Sequence, residues 1–167
     1  MQDKDAACKL PDGGDMSIWN NSTTYSTQSL ANRMHQMVRE QGSSYHILVV
    51  EDDSSLANLE AGILKAHGYI VAIASNGEMA ITVLEHHLPD LVLLDLDLSG
   101  TINGWDVLQM LRTYSSTPVL LTSAESTVNR QIRILGETRS TLDLLPKPFL
   151  MQTLLKRIKR MLTIAPY

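Results

Sequence analysis

A chain of 167 residues with 44% hydrophobic content is long enough for one full-sized domain with a modest extension, and too short for two large ones. Its net charge of -4 argues against a generally basic surface for nucleic acids. The single cysteine, Cys8, excludes an intramolecular disulfide and an all-cysteine metal site, and no apolar stretch approaches membrane-spanning length, so a cytoplasmic protein is expected.

Residues 1–44 are predicted to form an N-terminal extension that lies outside the folded domain. The first thirty residues are rich in Ser, Thr, Asn, Asp and Gly and lack a sustained apolar period, so we expect a mostly disordered tail. Residues 30–40 could form a short helix with Leu30, Met34 and Met37 on one side. That helix is interpreted as a linker or as a small docking or dimerising element.

From residue 45 to about residue 165, apolar strands alternate with amphipathic helices, which is typical of an α/β domain with a parallel sheet. The predicted strands are His46–Val50, Tyr69–Ala74, Leu91–Leu94, Pro118–Thr122 and Leu142–Leu145. The first predicted helix is capped by Ser54 or Ser55 and runs to His67, and the others are Gly77–His86, Gly104–Tyr114, Thr127–Leu135 and Phe149–Leu162. Five such repeats predict a doubly wound sheet with its ligand site at the carboxyl ends of the strands.

Ionisable or hydroxyl side chains at the ends of four predicted strands form a candidate site. They are Glu51 and Asp52 after the first strand, Asp95 after the third, Ser123 after the fourth and Lys147 after the fifth. Crowded carboxylates raise one another's pKa, so such a cluster is normally neutralised by a hard cation or by a lysine. Because the set offers oxygen ligands and no His or Cys, it favours Mg²⁺ or Mn²⁺ over zinc.

Asp95 is the candidate nucleophile of this cluster. An Asp beside a metal with open coordination positions can accept a phosphoryl group whose oxygens the metal binds. Lys147 would add a positive charge and Ser123 a hydrogen-bond donor to the transferred group. The residues therefore predict phosphoryl transfer to Asp95.

Four stretches of the chain resemble, in order, the signature stretches of response-regulator receiver domains, the CheY-like proteins of two-component signalling. They are His46–Asp53 (HILVVEDD), Asp90–Leu98 (DLVLLDLDL), Pro118–Glu125 (PVLLTSAE) and Pro146–Phe149 (PKPF). The resemblance implies a flavodoxin-like (βα)5 fold with strand order 2-1-3-4-5. It also implies that the domain accepts phosphate from a histidine kinase or a histidine phosphotransfer protein.

The same resemblance assigns roles to individual residues. It implies that Asp52 binds the metal directly, that Glu51 acts on it through water, and that Asp95 is both phosphoacceptor and metal ligand. The backbone carbonyl of Asp97 would complete the protein ligands, leaving the Asp97 side chain to solvent. Ser123 would follow the phosphate during switching.

Lys147 occupies the position of the phosphate-pairing lysine, and the resemblance makes Lys147–Pro148 a candidate cis peptide bond. The sequence also departs from the family pattern. Leu144 stands where receiver domains usually carry an aromatic switch residue, and the loop Ser99–Gly104 is longer than the common form by about one residue. The usual aromatic readout of phosphorylation is therefore not expected.

Expected partners follow from the end of the chain at Tyr167, shortly after the last predicted helix. No DNA-binding domain and no membrane contact are expected, and signalling is expected to pass through contacts with a protein target that the sequence does not identify. A homodimer through the fourth and fifth helix face is a further candidate contact.

Two other functions stay open. Asp95-Leu-Asp97 with Thr101 nearby is similar to the nucleophile and acid of haloacid-dehalogenase-like phosphatases, although here the acidic pair Glu51-Asp52 comes first in the chain. A receiver-like module could instead bind partners without phosphorylation. In the favoured interpretation, the domain is an enzyme only in catalysing its own phosphorylation and dephosphorylation.

Overall fold

The structure is a computed structural model that describes residues 44–124 and 137–164. In chain order these ranges form β1 (His46–Val50), α1 (Ser54–Ala66), β2 (Ile70–Ala74), α2 (Gly77–His86), β3 (Leu91–Asp95), α3 (Gly104–Arg112), β4 (Val119–Ser123), β5 (Leu142–Pro146) and α4 (Met151–Ile164). The strands end within one residue of their predicted bounds. The predicted helix Thr127–Leu135 and all of the extension except Ser44 lie outside the described residues.

The five strands form one parallel sheet in the order β2-β1-β3-β4-β5, which confirms the predicted flavodoxin-like order. β1 and β3 are neighbours at the point where the strand order reverses, with Val50 paired to Leu94. Since all strands are parallel, their carboxyl ends lie at one edge of the sheet. Ligands of open α/β sheets bind at such an edge, close to the reversal.

Both faces of the sheet are buried, as expected for parallel strands covered by helices. Successive residues of a strand point to opposite faces, so Leu48 packs with α2 and α3 in one core while Val49 packs with α1 and α4 in the other. β3 is buried along its whole length. The two cores hold the central strands rigidly and thereby position the residues that follow them.

The first helix begins differently from the prediction. Asp53, and neither Ser54 nor Ser55, is the N-cap of α1: its carboxylate accepts hydrogen bonds from the backbone N–H groups of Ser55 and Leu56. Both serines and Asp53 are good capping residues, and the geometry of the turn after β1 selects the aspartate. The helix stops near Gly68, as predicted, where a φ of +87° is easily adopted by glycine.

None of the helices in the described ranges combines the length and the apolar character that a bilayer crossing requires.

Candidate functional site

Three carboxylates meet at the carboxyl edge of the sheet. Oxygen atoms of Glu51, Asp52 and Asp95 lie within 4.8 Å of one another. Glu51 and Asp52 directly follow β1, and Asp95 is the last residue of the neighbouring strand β3. The side chains of Glu51 and Asp95 are almost fully buried, each 3% exposed, and Asp52 is half-buried. This set of hard oxygen donors fits a divalent cation such as Mg²⁺.

Lys147 joins two of these carboxylates from across the sheet. Its Nζ lies 2.7 Å from Oδ2 of Asp95 and 2.9 Å from Oε2 of Glu51. β5 is two strands from β3, or about 10 Å, and the long lysine side chain spans this distance. The backbone N–H of Lys147 donates to the carbonyl of Ser123, and this hydrogen bond fixes the backbone from which the lysine side chain extends. The structure thus brings together the acidic cluster and the ammonium group that the sequence placed at separate strand ends.

The pKa values of these groups reflect burial and mutual charge. Burial disfavours the charged form of Lys147, but its hydrogen bonds to Asp95 and Glu51 outweigh this and raise its pKa. Burial also raises the pKa of Glu51; the hydrogen bond from Lys147 opposes this effect and the charge of Asp95 adds to it. The site therefore holds excess negative charge that one lysine neutralises only in part. A cation at the carboxylates would complete the neutralisation.

Ser123 and Asp97 contact each other, which the sequence analysis did not predict. The buried Ser123 hydroxyl donates to both carboxylate oxygens of Asp97, with Oδ2 at 3.2 Å, and the N–H of Ala124 donates to Oδ2 at 3.0 Å. The backbone N–H of Asp97 in turn donates to Oδ1 of Asp95 at 3.1 Å. The Asp97 side chain is exposed, as expected, and it also reaches Ser123 because β3 and β4 are neighbouring strands.

The loop Ser99–Gly104 is fastened at two points. The Ser99 N–H donates to Oδ2 of Asp52 at 3.0 Å, and hydrogen bonding from the Ser99 side chain and backbone lowers the pKa of Asp52. The Thr101 hydroxyl donates to Oε1 of Glu78 in α2 at 2.5 Å. The role of Glu78 in holding this loop was not predicted, because nothing local in the sequence connects it to Thr101.

Gly104 makes a close approach that the sequence analysis did not anticipate. A Cβ atom at this position would lie 2.2 Å from the carbonyl oxygen of Asp95 and 2.6 Å from Cα of Leu96. The absence of a side chain lets the first turn of α3, capped by Asn103, pack directly on the backbone that carries Asp95. The only local sign of this close approach in the sequence is that Gly104 directly follows the N-cap residue Asn103.

Two further expectations concern the segment around β5. The Lys147–Pro148 peptide bond is cis, which confirms the prediction for this bond. Leu144 is 8% exposed and belongs to the core on the α2 and α3 face of the sheet. The side chain at the usual aromatic position is thus a buried aliphatic group that packs with the core.

Sequence comparison gives a consistent result. The family model described as the response regulator receiver domain matches residues 47–159. The DNA-binding response regulator MtrA of Mycobacterium tuberculosis is 40% identical over 114 residues, which are 68% of this chain and 48% of that protein. The transcriptional regulatory protein CpxR of Escherichia coli is 37% identical over 116 residues, 70% of this chain and 48% of that protein. The chain spans about half the length of these relatives.

These relatives overturn the expected set of partners. That set excluded a DNA-binding domain because of where the chain ends, yet MtrA is a DNA-binding response regulator. The expectation was wrong because it relied on where the chain ends. The matched segment is an α/β domain with its own cores, and the similar segment of MtrA is about half of a DNA-binding protein.

Solved structures agree with the sequence matches. A putative response regulator from Chloroflexus aurantiacus is 29% identical, with a TM-score of 0.63 over 72% of this chain and 99% of that one. The receiver domain of a putative Luxo repressor protein from Vibrio parahaemolyticus is 28% identical, with a TM-score of 0.63 over 72% and 92% of the two chains. With the matched residues, the strand order and the grouped strand-end residues all in agreement, this chain belongs to the response regulator receiver domain family.

Proposed function

We propose that this domain accepts a phosphoryl group on Asp95 from a histidine kinase or a histidine phosphotransfer protein, within a two-component phosphorelay. The observation that carries the proposal is the position of Lys147, whose ammonium bridges Asp95 and Glu51 beside the third carboxylate, Asp52. A buried aspartate at the carboxyl edge of the sheet, with a cation against one oxygen, has the environment that a phosphoryl acceptor needs.

In the proposed reaction a carboxylate oxygen of Asp95 attacks phosphorus. The P–N bond of a phosphohistidine breaks, its electron pair stays on the imidazole nitrogen, and an acyl phosphate forms on Asp95. The Lys147 ammonium donates a hydrogen bond to Oδ2 of Asp95 and would stay beside the added negative charge afterwards. Hydrolysis reverses the modification when water attacks the acyl phosphate, so we propose that the domain catalyses only its own phosphorylation and dephosphorylation.

The three clustered carboxylates, with the backbone carbonyl of Asp97 as a further proposed ligand, would hold Mg²⁺ or Mn²⁺. A bound divalent cation supplies charge neutralisation for phosphate oxygens. Asp52 is suited to direct binding, because it is half-buried and its lowered pKa keeps it ionised. Glu51 is more deeply buried and already shared with Lys147, which supports an indirect contact through water.

Ser123 is proposed to hydrogen-bond the phosphoryl group once it is present. In the structure its hydroxyl is held by Asp97, so this role requires the hydroxyl to leave Asp97. Asp97 would then serve as the resting partner of Ser123 in the unphosphorylated domain. The transfer of one hydrogen bond from a carboxylate to a phosphate oxygen is a local event that would release the end of β4 from Asp97.

The test is incubation with acetyl phosphate and Mg²⁺ followed by intact-mass measurement. We expect the mass of one added phosphoryl group, lost in Asp95→Asn and kept in the matched control Asp90→Asn at the other end of β3, where the side chain can still accept from the N–H of His46. An unmodified wild-type protein, or modification that persists in Asp95→Asn, would contradict the proposal. Steady turnover of a phosphate ester would favour the phosphatase alternative. Partner binding that is equal with and without phosphorylation would favour the phosphorylation-independent module.

A further inference from the structure

Glu60 is a charged residue in an otherwise apolar position. The side of α1 that faces the sheet consists of Ala57, Glu60, Ala61 and Leu64, with the spacing of a single helical face. Glu60 is 1% exposed, so it is as deeply buried as the apolar residues beside it. An ionisable side chain at such a position is costly and calls for a physical explanation.

The Glu60 carboxyl has no hydrogen-bond compensation at Oε1, which is fully buried without a partner. Burial is the main reason that the pKa of Glu60 is raised to about 7, and repulsion from Glu51 and Asp95 adds to the effect. The positive charge of Lys147 opposes it. Glu60 thus responds electrostatically to the candidate site while lying outside its set of ligands.

The elements around α1 supply few other charges. α1 packs on β1, β2 and α4. β2 (IVAIA) has no titratable side chain. The charged residues of α4 are Lys156, Arg157, Lys159 and Arg160, of which both lysines are exposed and both arginines bind Asp143. The groups that act on Glu60 are therefore those of the site: Glu51 after β1, Asp95 at the end of β3 and Lys147 after β5.

We propose that Glu60 is a positioning residue that couples divalent-cation binding at Glu51, Asp52 and Asp95 to the release of a proton. This inference rests on the metal site of the proposed function. Without a cation, burial and the negative charges of Glu51 and Asp95 favour the neutral form of Glu60. Positive charge at the carboxylates favours ionised Glu60, and by thermodynamic linkage ionised Glu60 strengthens cation binding by the same factor.

The size of the effect follows from the pKa of about 7 for the cation-free domain. If Glu60 is ionised in the cation-bound domain, its protonation weakens Mg²⁺ binding at pH 6 and hardly affects it at pH 8. By linkage, the titration of Glu60 alone should make Mg²⁺ binding about tenfold tighter at pH 8 than at pH 6. At pH 7, Mg²⁺ binding should release about half a proton from Glu60.

The experiment is calorimetric titration with Mg²⁺ at pH 6, 7 and 8, in two buffers of different protonation enthalpy, which yields both the affinity and the number of protons released. The variant is Glu60→Gln, which keeps the shape of the neutral acid. The matched control is Glu85→Gln, which removes an exposed carboxyl group from α2. On binding Mg²⁺ at pH 7, Glu60→Gln should release about half a proton less than wild type. Its Mg²⁺ affinity should also lack the roughly tenfold increase between pH 6 and 8 that Glu60 contributes in wild type. Glu85→Gln should behave like wild type in both measurements.

Equal proton release and equal pH dependence in wild type and Glu60→Gln would overturn the inference and leave the metal site standing. No Mg²⁺ binding by wild type would overturn both the metal site and the inference. Should Glu60→Gln fail to fold, carboxyl ¹³C NMR of the wild-type domain decides instead. The expected result is a glutamate titrating near pH 7 whose pKa falls in saturating Mg²⁺, and an unchanged pKa would overturn the inference.

Discussion

The hydroxyl of Ser123 donates a hydrogen bond to Oδ2 of Asp97 at 3.2 Å, and the adjacent N–H of Ala124 donates to the same oxygen at 3.0 Å. These two contacts tie the end of β4 to the loop that follows Asp95. The proposed phosphoacceptor and the proposed phosphate-sensing hydroxyl are therefore already connected through a third residue before any phosphoryl group arrives.

A double-mutant cycle with Ser123→Ala and Asp97→Ala tests the strength of this connection. We expect a coupling free energy of about 1 kcal/mol, because a hydrogen bond to an ionised group is stronger than a neutral one but Asp97 remains open to water. Urea denaturation of the single and double variants measures it. Asp97→Ala combined with Thr113→Ala, in the distant C-cap of α3, serves as the additive control. If the losses in unfolding free energy of Ser123→Ala and Asp97→Ala add up to the loss of the double variant, the contact contributes nothing to stability.

Lys147→Met should destabilise the domain, because it leaves the buried carboxylates of Glu51 and Asp95 without their shared cation. The expected loss is about 3 kcal/mol in the free energy of unfolding at pH 8. The raised pKa of Lys147 means that its stabilising charge is present throughout the neutral range and is lost only as the pH rises through that value.

The loss caused by Lys147→Met should be smaller at pH 5 than at pH 8, because burial raises the pKa of Glu51 and a protonated Glu51 no longer needs the ammonium group. Lys156→Met, at an exposed position of α4, is the matched control and should change stability little at either pH. Urea titrations at both pH values give the comparison. A loss from Lys147→Met that does not vary with pH would be inconsistent with this account.

Gly104→Ala should disrupt the packing of α3 on the Asp95 backbone. The added Cβ would lie 2.2 Å from the carbonyl oxygen of Asp95, so the helix or the strand end must move, at an expected cost of about 2 kcal/mol or more. Phosphorylation by acetyl phosphate should slow in the same variant. Gly62→Ala is the control: it lies in α1 with open space around its Cβ position and should stabilise the domain by about 0.5–1 kcal/mol. Similar thermal melting of the two variants would contradict the prediction.

Glu60→Leu should change how stability depends on pH. Glu60 is protonated in the folded domain up to a pKa of about 7 but only to about 4.5 when unfolded, so its contribution is full at low pH and is lost as the pH rises through that window. The difference amounts to about 3 kcal/mol. The unfolding free energy of Glu60→Leu relative to wild type should therefore rise by that amount between pH 4 and 8. If the difference in unfolding free energy between Glu60→Leu and wild type is the same at pH 4 and pH 8, Glu60 does not titrate in the folded domain over this range.

The order of elements and the grouping of Asp95, Lys147 and the acidic pair were predictable because they depend on local patterns. Apolar runs such as LVLLD mark buried parallel strands, and the carboxyl ends of parallel strands necessarily share one edge of the sheet. The helix cap was less predictable. Three consecutive residues after Asp52 can all cap a helix, and only the path of the chain out of β1 selects Asp53.

The amino-acid pattern alone was thus sufficient for the alternation of strands and helices, for the identity of the residues at the strand ends and for the class of chemistry they suit. The strand order was implied by the resemblance to receiver domains. Packing in three dimensions settled which of those residues touch: Ser123 binds Asp97, Ser99 binds Asp52, and Gly104 lies against Asp95. It also buried the side chain of Glu60 inside the protein. Periodicity is a property of neighbours along the chain, whereas hydrogen-bond partners and burial depend on distances between segments that the chain brings together only on folding.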